Sequence, residues 1–217
     1  MFSSSKSTMV KPEDALPGHA EPIFTVPSTH EILGTSLTGP WTNDVEVIYL
    51  AMGCFWGAEE YYWQLPGVYS TAVGYMGGFS PNPTYEEVCT ARTGHTETTL
   101  VAYRPAEVST YDILKLFWEH HDPTQGMRQG NDIGTQYRSA IFWTNPEQRD
   151  IAIRTSEAFE REIVKRNFGH VTTTIEPAAE HVFYYAEDYH QQYLHKVPNG
   201  YRCHANTGLT LPPLTDA

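Results

Sequence analysis

The chain has 217 residues, 40% hydrophobic and 18% charged, a balance that fits a soluble globular protein of one domain or two. A formal net charge of −12 with no offsetting Lys/Arg cluster argues against nucleic-acid and anionic-membrane partners. No run approaches the ~18 apolar residues of a membrane span, and the polar start Met1–Lys6 lacks the apolar core of a leader, so no membrane association and a cytoplasmic location are expected.

Residues 1–43 read as an irregular arm, interrupted by Pro12, Pro17, Pro22, Pro27 and Pro40 and without periodicity. From Val45 the pattern sharpens. The β-branched and aromatic run Val45–Ala51 predicts a strand, and Ala58–Leu65 a short helix ended by Pro66-Gly67. A second strand is expected over Val68–Val73, followed by a loop through Gly77-Gly78 and Pro81-Asn82-Pro83. Thr84-Tyr85-Glu86-Glu87 has capping-box spacing and predicts a helix from Tyr85. Thr96–Tyr103 alternates as a strand, and Ile113, Leu114, Phe117 and Trp118 lie at helical spacing within Ser109–His121. Further on come a strand over Tyr137–Trp143, a long helix over Pro146–Phe168, a strand over Thr172–Ile175 and a short helix over Glu187–His195. The order implies a single α+β domain at 44–198, with a mixed sheet, flanking helices and a tail at 199–217.

Three cysteines, Cys54, Cys89 and Cys203, do not make an even disulfide framework. In a reducing compartment such thiols are buried, catalytic or metal-bound. Cys54 sits in Gly53-Cys54-Phe55-Trp56-Gly57, where a strand ends and a helix starts. Unpaired backbone N–H groups and the positive end of the helix dipole favour a thiolate there, and the thiolate is the nucleophile. A buried cysteine packing as a small hydrophobe fits the same position. Phe55 and Trp56 fit either core or the walls of a pocket for a small apolar group. By default Asp132, between Gly130 and Gly134, is a turn residue, Glu97 a solvated carboxylate, and Tyr85 and Tyr137 half-buried packing.

The pentapeptide resembles the active-site signature of the A-class methionine sulfoxide reductases. Four further blocks are similar to that family and occur in its order: GYMGGFSPNPTYEEV, TGHTE, FWEHHDPTQGMRQGNDIGTQYRSAI and YYAEDYHQQYLHK. The similarity runs from about Val45 to Tyr201, and five ordered blocks are far more specific than one motif. It implies a ferredoxin-like core and thiol-dependent reduction of methionine S-sulfoxide, free or within proteins. Cys54 then corresponds to the attacking cysteine, Glu97 to the acid that protonates the sulfoxide oxygen, and Phe55 and Trp56 to the aromatics that hold the substrate methyl. Tyr85 and Tyr137 correspond to tyrosines that hydrogen-bond the oxygen, and Asp132, His190 and Tyr201 to further residues lining the site.

The resemblance also implies a resolving cysteine in the C-terminal segment, here Cys203, in a tail whose glycines suggest mobility. No bound cofactor or metal is implied; thioredoxin or a similar dithiol is the external reductant, and a monomer is expected. Two departures stand out. Arg202 displaces the motif by one residue, and Thr210 stands near where many members carry a second recycling cysteine. A single Cys54–Cys203 disulfide is therefore expected. Competing classes are a zinc protein built from the 10 histidines and three cysteines, an aromatic cage of Phe55, Trp56, Tyr85 and Tyr137, and a cysteine hydrolase or peroxidase using His95 or His190.

Overall fold

A computed structural model of the chain describes residues 6–214. Met1–Ser5 of the expected arm and leader reading, and Thr215–Ala217 of the expected tail, lie outside the described residues. The expected first strand forms as β1, Glu46–Met52. Next come α1 (Phe55–Trp63), β2 (Val68–Met76), α2 (Tyr85–Cys89), β3 (Thr96–Tyr103) and α3 (Thr110–Glu119). A small hairpin of β4 (Arg128–Gln129) and β5 (Asp132–Ile133) precedes β6 (Ser139–Trp143) and the long α4 (Pro146–Lys165). The chain ends its regular structure with β7 (Thr174–Pro177), β8 (Tyr184–Tyr185) and α5 (Tyr193–Lys196). Six strands make one sheet in the order β7-β6-β1-β3-β2-β8. Every pairing is antiparallel except β6 with β7, so the sheet is mixed and the fold is α+β.

Strand alternation divides the core into two layers. Ile48, Leu50 and Met52 of β1, Val101 and Tyr103 of β3 and Ile141 of β6 share one cluster with Tyr62 of α1, Phe117 and Trp118 of α3 and Phe159 of α4. The opposite face carries Ala72, Leu100 and Ala102, and here the cover is not helical. Val26, Leu37 and Trp41 of the N-terminal arm lie over it with Phe183 and Tyr185. Removing that apolar area from water stabilises the arm in place, at ~25 cal/mol per Å². Polar links add direction: the Leu37 amide donates to the Ser28 carbonyl at 3.0 Å, and His30 Nε2 meets Thr71 Oγ1 at 2.8 Å.

Four local differences from the sequence expectations have physical causes. Helix α1 starts at Phe55, three residues before Ala58, because a turn at Gly53 makes Cys54 its N-cap residue. The strand expected from Tyr137 begins at Ser139, since Thr135–Tyr137 closes a 3₁₀ turn. The helix expected over Glu187–His195 is two pieces, a 3₁₀ turn at Asp188–His190 and α5. Gln192 separates them in the left-handed conformation (φ +49°), held by its amide and side chain on the Glu59 carboxyl. The tail is irregular but tethered. Leu211 is buried with its amide on Glu119 Oε1 (2.9 Å), and Tyr111 donates to the Pro212 carbonyl (3.3 Å). Among the described residues no helix is long and apolar enough to cross a membrane.

Candidate active site

The chain leaves β1 at Met52 and enters α1 at Phe55, leaving two residues for the turn. Gly53 takes φ +94°, and a Cβ there would come within 2.6 Å of Gln129 Cγ, so both the angle and the space call for glycine. Cys54 is the N-cap residue and is buried. Its thiol faces the helix start, where a hydrogen bond from the Trp56 amide favours the thiolate. That help is outweighed. Burial, followed by the nearby Glu97 charge, pushes the thiol well above its usual range. The resting sulfur is therefore a thiol, contrary to what helix position alone suggests.

Glu97 is the second residue of β3, fully interior, with Oε2 accepting the Phe55 amide hydrogen at 3.0 Å. Burial pushes its carboxyl up to about 8, the Phe55 amide pulls it back, and Asp132 raises it further. It is mostly protonated at neutral pH. Tyr85 and Tyr137 both feel Glu97. Burial first and this carboxyl second hold both phenols above their ordinary range, so they remain O–H donors. The Tyr85 hydroxyl also shares a hydrogen bond with the half-buried Cys89 thiol.

The aromatic wall is built by α1 and the segment after β8. The Trp56 indole stacks on Tyr193 with ring centroids 3.9 Å apart, and Trp56 Nε1 donates to His190 Nδ1 at 2.9 Å. His190 is buried, and burial, then Lys196, lowers it to about 4, so the ring is neutral and accepts this bond. The Phe55 ring lies 5.1 Å from His190 and 5.9 Å from Tyr75, and Tyr85 lies 4.4 Å from His190. Phe55, Val73, Tyr75, Val88 and Ala186 form an apolar floor with Trp56 and Tyr85 against it.

On the other side, Tyr201 donates to Asp132 Oδ2 at 3.1 Å. Burial raises the Asp132 carboxyl, opposed by hydrogen bonds from Tyr201 and Cys203. The half-buried Cys203 thiol reaches the Gln129 carbonyl at 3.5 Å. Burial raises this thiol too, and it lies near enough to contribute to the shift at Cys54. Cys54, Cys89 and Cys203 are all free thiols.

These interactions link Cys54, Phe55, Trp56, Tyr85, Glu97, Asp132, Tyr137, His190, Tyr201 and Cys203 into one region. His95 stands apart, with Nδ1 accepting the Gly78 amide and Nε2 on the Ser80 carbonyl. Sequence reasoning passed over Glu187 and Glu59. Glu187 accepts the Tyr85 amide (2.8 Å) with Oε1 and the Tyr75 hydroxyl (2.8 Å) with Oε2, tying α2 to the floor. Glu59, wholly buried and raised to about 7 by burial, holds Gln192 and so the turn that presents His190 and Tyr193. The usable signal for Glu59 was an acid at an otherwise apolar position one helical turn beyond Phe55; Glu187 lay inside the block YYAEDYHQQYLHK. Among the described residues no group of three or more His, Cys, Asp or Glu converges to hold a metal ion.

Comparison with known proteins gives one consistent answer. The profile of the family described as peptide methionine sulfoxide reductase matches residues 46–214. A peptide methionine sulfoxide reductase MsrA of Rhodospirillum centenum is 54% identical over 212 residues, covering 98% of this chain and 95% of that protein. One from Brucella anthropi is 55% identical over 207 residues, covering 95% and 94%. The solved methionine sulfoxide reductase A of Corynebacterium diphtheriae superposes with a TM-score of 0.84 at 43% identity, over 95% of this chain and 100% of that one. Mxr1 from Saccharomyces cerevisiae in reduced form gives 0.67 at 33% identity, over 77% and 96%. With its site built on the turn between β1 and α1 and its similarity running almost end to end, the chain belongs to the peptide methionine sulfoxide reductase family of oxidoreductases.

Proposed function

We propose that this chain reduces methionine S-sulfoxide, free or within proteins, to methionine, with Cys54 as the attacking sulfur. The observation that carries the reading is the buried, largely neutral Glu97 bonded to the amide of Phe55, the residue that follows the Cys54 thiol. A sulfoxide bears negative charge on oxygen, so attack at sulfur needs a proton donor at that oxygen. Glu97 supplies the proton, and Tyr85 and Tyr137 donate hydrogen bonds to the charge that develops. The Cys54 proton passes to the carboxylate so formed as the sulfur attacks; the new bond between the two sulfurs then breaks as the oxygen moves, as hydroxyl, from the substrate sulfur to Cys54. The balance is one sulfoxide and one thiol converted to methionine and a Cys54 sulfenic acid. Phe55 and Trp56 hold the substrate methyl, while Asp132, His190 and Tyr201 border the substrate.

Cys203 then resolves the sulfenic acid as a Cys54–Cys203 disulfide, which thioredoxin or a similar dithiol reduces by exchange. No bound cofactor takes part. On this reading 44–198 is the catalytic domain, 1–43 its cover and 199–217 the segment that delivers the second thiol. The protein acts as a monomer in the cytoplasm.

The test needs no reductant. The protein is mixed with excess methionine S-sulfoxide, and methionine formed and thiols lost are counted. One methionine and two thiols per chain is the expected result. One methionine with a single thiol lost removes Cys203 from the scheme, and no methionine removes the reductase reading altogether.

A further inference from the structure

Residues 201–203 lie in a stretch without helix or strand, yet each of the three side chains is tied to a neighbouring element. Tyr201 is held by Asp132 of β5, and Cys203 touches the Gln129 carbonyl of β4. Arg202 makes the strongest of the three attachments. Its Nε donates to Glu60 Oε2 and its Nη2 to Glu60 Oε1, both at 2.7 Å, a two-pronged fork on α1. Nη1 donates back to the Pro198 carbonyl at 2.8 Å and closes the turn that leads into the segment. Glu60 belongs to the helix that Cys54 begins, so the fork sets the residue before Cys203 in the same rigid frame as the attacking sulfur.

Building on the assignment of Cys54 and Cys203 above, we infer that the Arg202–Glu60 fork is a positioning device for the second half of the reaction: it holds Cys203 where it closes on Cys54. In that step the Cys203 sulfur attacks the sulfur of the Cys54 sulfenic acid. The S–S bond forms, the S–O bond breaks, and the hydroxide leaves as water with the proton Cys203 gives up. Burial raises the Cys203 thiol, so its thiolate is scarce. The rate therefore depends on how often the segment presents that sulfur correctly, a local-concentration effect that one well-formed tether sets. Neither Glu60 nor Arg202 is among the groups that shift Glu97, Tyr85 or Tyr137, so methionine formation is expected to proceed without the fork.

The experiment follows both halves in one rapid-mixing time course on the full chain with excess methionine S-sulfoxide. Methionine release reads the first half; disulfide by mass, and sulfenic acid captured with dimedone, read the second. Glu60→Gln and Arg202→Gln are expected to leave the methionine burst unchanged and to slow disulfide closure roughly fivefold or more, with sulfenic acid accumulating. The charge swap Glu60→Arg with Arg202→Glu recovers much of the closure rate. In the wild-type protein, raising salt slows closure and not the burst, a readout independent of any variant's folding. Closure at the wild-type rate in both single variants overturns the proposal, as does equal slowing of both halves, which marks a general structural role. Disulfide formation that persists in Cys203→Ser overturns the underlying assignment of Cys203, and the fork's role with it.

Discussion

Cys54 and Cys203 lie in one site but are held by different means. Cys54 is set by backbone: a strand ends, a glycine turns at φ +94°, a helix begins, and the amides on its C-terminal side point at it and at Glu97. Cys203 lies outside any helix or strand and is held mainly through side-chain contacts: Tyr201 on Asp132, Arg202 on Glu60, and its own thiol on Asp132 and the Gln129 carbonyl. Backbone placement gives the accuracy that attack on one sulfur atom requires, since small misplacements of a reacting group are costly. Side-chain placement gives a segment that can be held and released, which suits the proposed role of a thiol that first closes a disulfide and then yields it to an external reductant. The two regions should therefore respond differently to small chemical changes.

The largest effect is expected at Glu97. Glu97→Gln keeps the shape and removes the proton, so kcat falls by roughly 10²–10³-fold with KM little changed. The sign of the pH dependence follows from the raised carboxyl. The protonated form is the active one, so the wild-type rate declines as pH rises through about 8. That alkaline limb disappears in the variant, and a pH–rate profile of single-turnover methionine formation checks both points. Gly53→Ala comes next. A methyl at this φ, pressed on the Gln129 side chain, costs about 2 kcal/mol and lowers the urea midpoint while also displacing the thiol. The smallest effect is expected in the tail. Tyr201→Phe removes the exposed hydroxyl that bonds Asp132 and meets the Cys203 thiol, leaves the urea midpoint within about 0.5 kcal/mol, and slows disulfide closure by only about two- to fivefold. A Tyr201→Phe protein destabilised as much as Gly53→Ala would erase the contrast between the two regions.

The strands were legible because their residues are β-branched and alternate; β3 was read to the residue from Thr96 to Tyr103. The capping box at Thr84 was equally plain, and both of its bonds form. The short elements were not legible. Tyr184–Tyr185 pairs with Gly74 and Tyr75 of β2 only because the chain returns there, and two residues carry no period. The break at Gln192 depends on Glu59, a partner more than a hundred residues earlier. The site residues came from the family resemblance rather than from spacing. Position alone left Cys54 open between a thiolate favoured by the helix start and a buried cysteine packing as a small hydrophobe; the structure buries it, and burial outweighs the helix start.

The arm over the second face of the sheet has a consequence for the order of events in synthesis. Val26, Leu37 and Trp41 leave the ribosome before the surface they cover exists, and that surface is completed only when Phe183 and Tyr185 have been made. An arm made early in the sequence thus completes its packing only with residues made about 150 positions later. Until then an apolar sheet face stands uncovered beside a waiting, proline-interrupted segment that forms almost no regular structure by itself. Each of the prolines at 12, 17, 22, 27 and 40 lacks the N–H a ladder would need, which disfavours pairing of that segment with a strand during the wait.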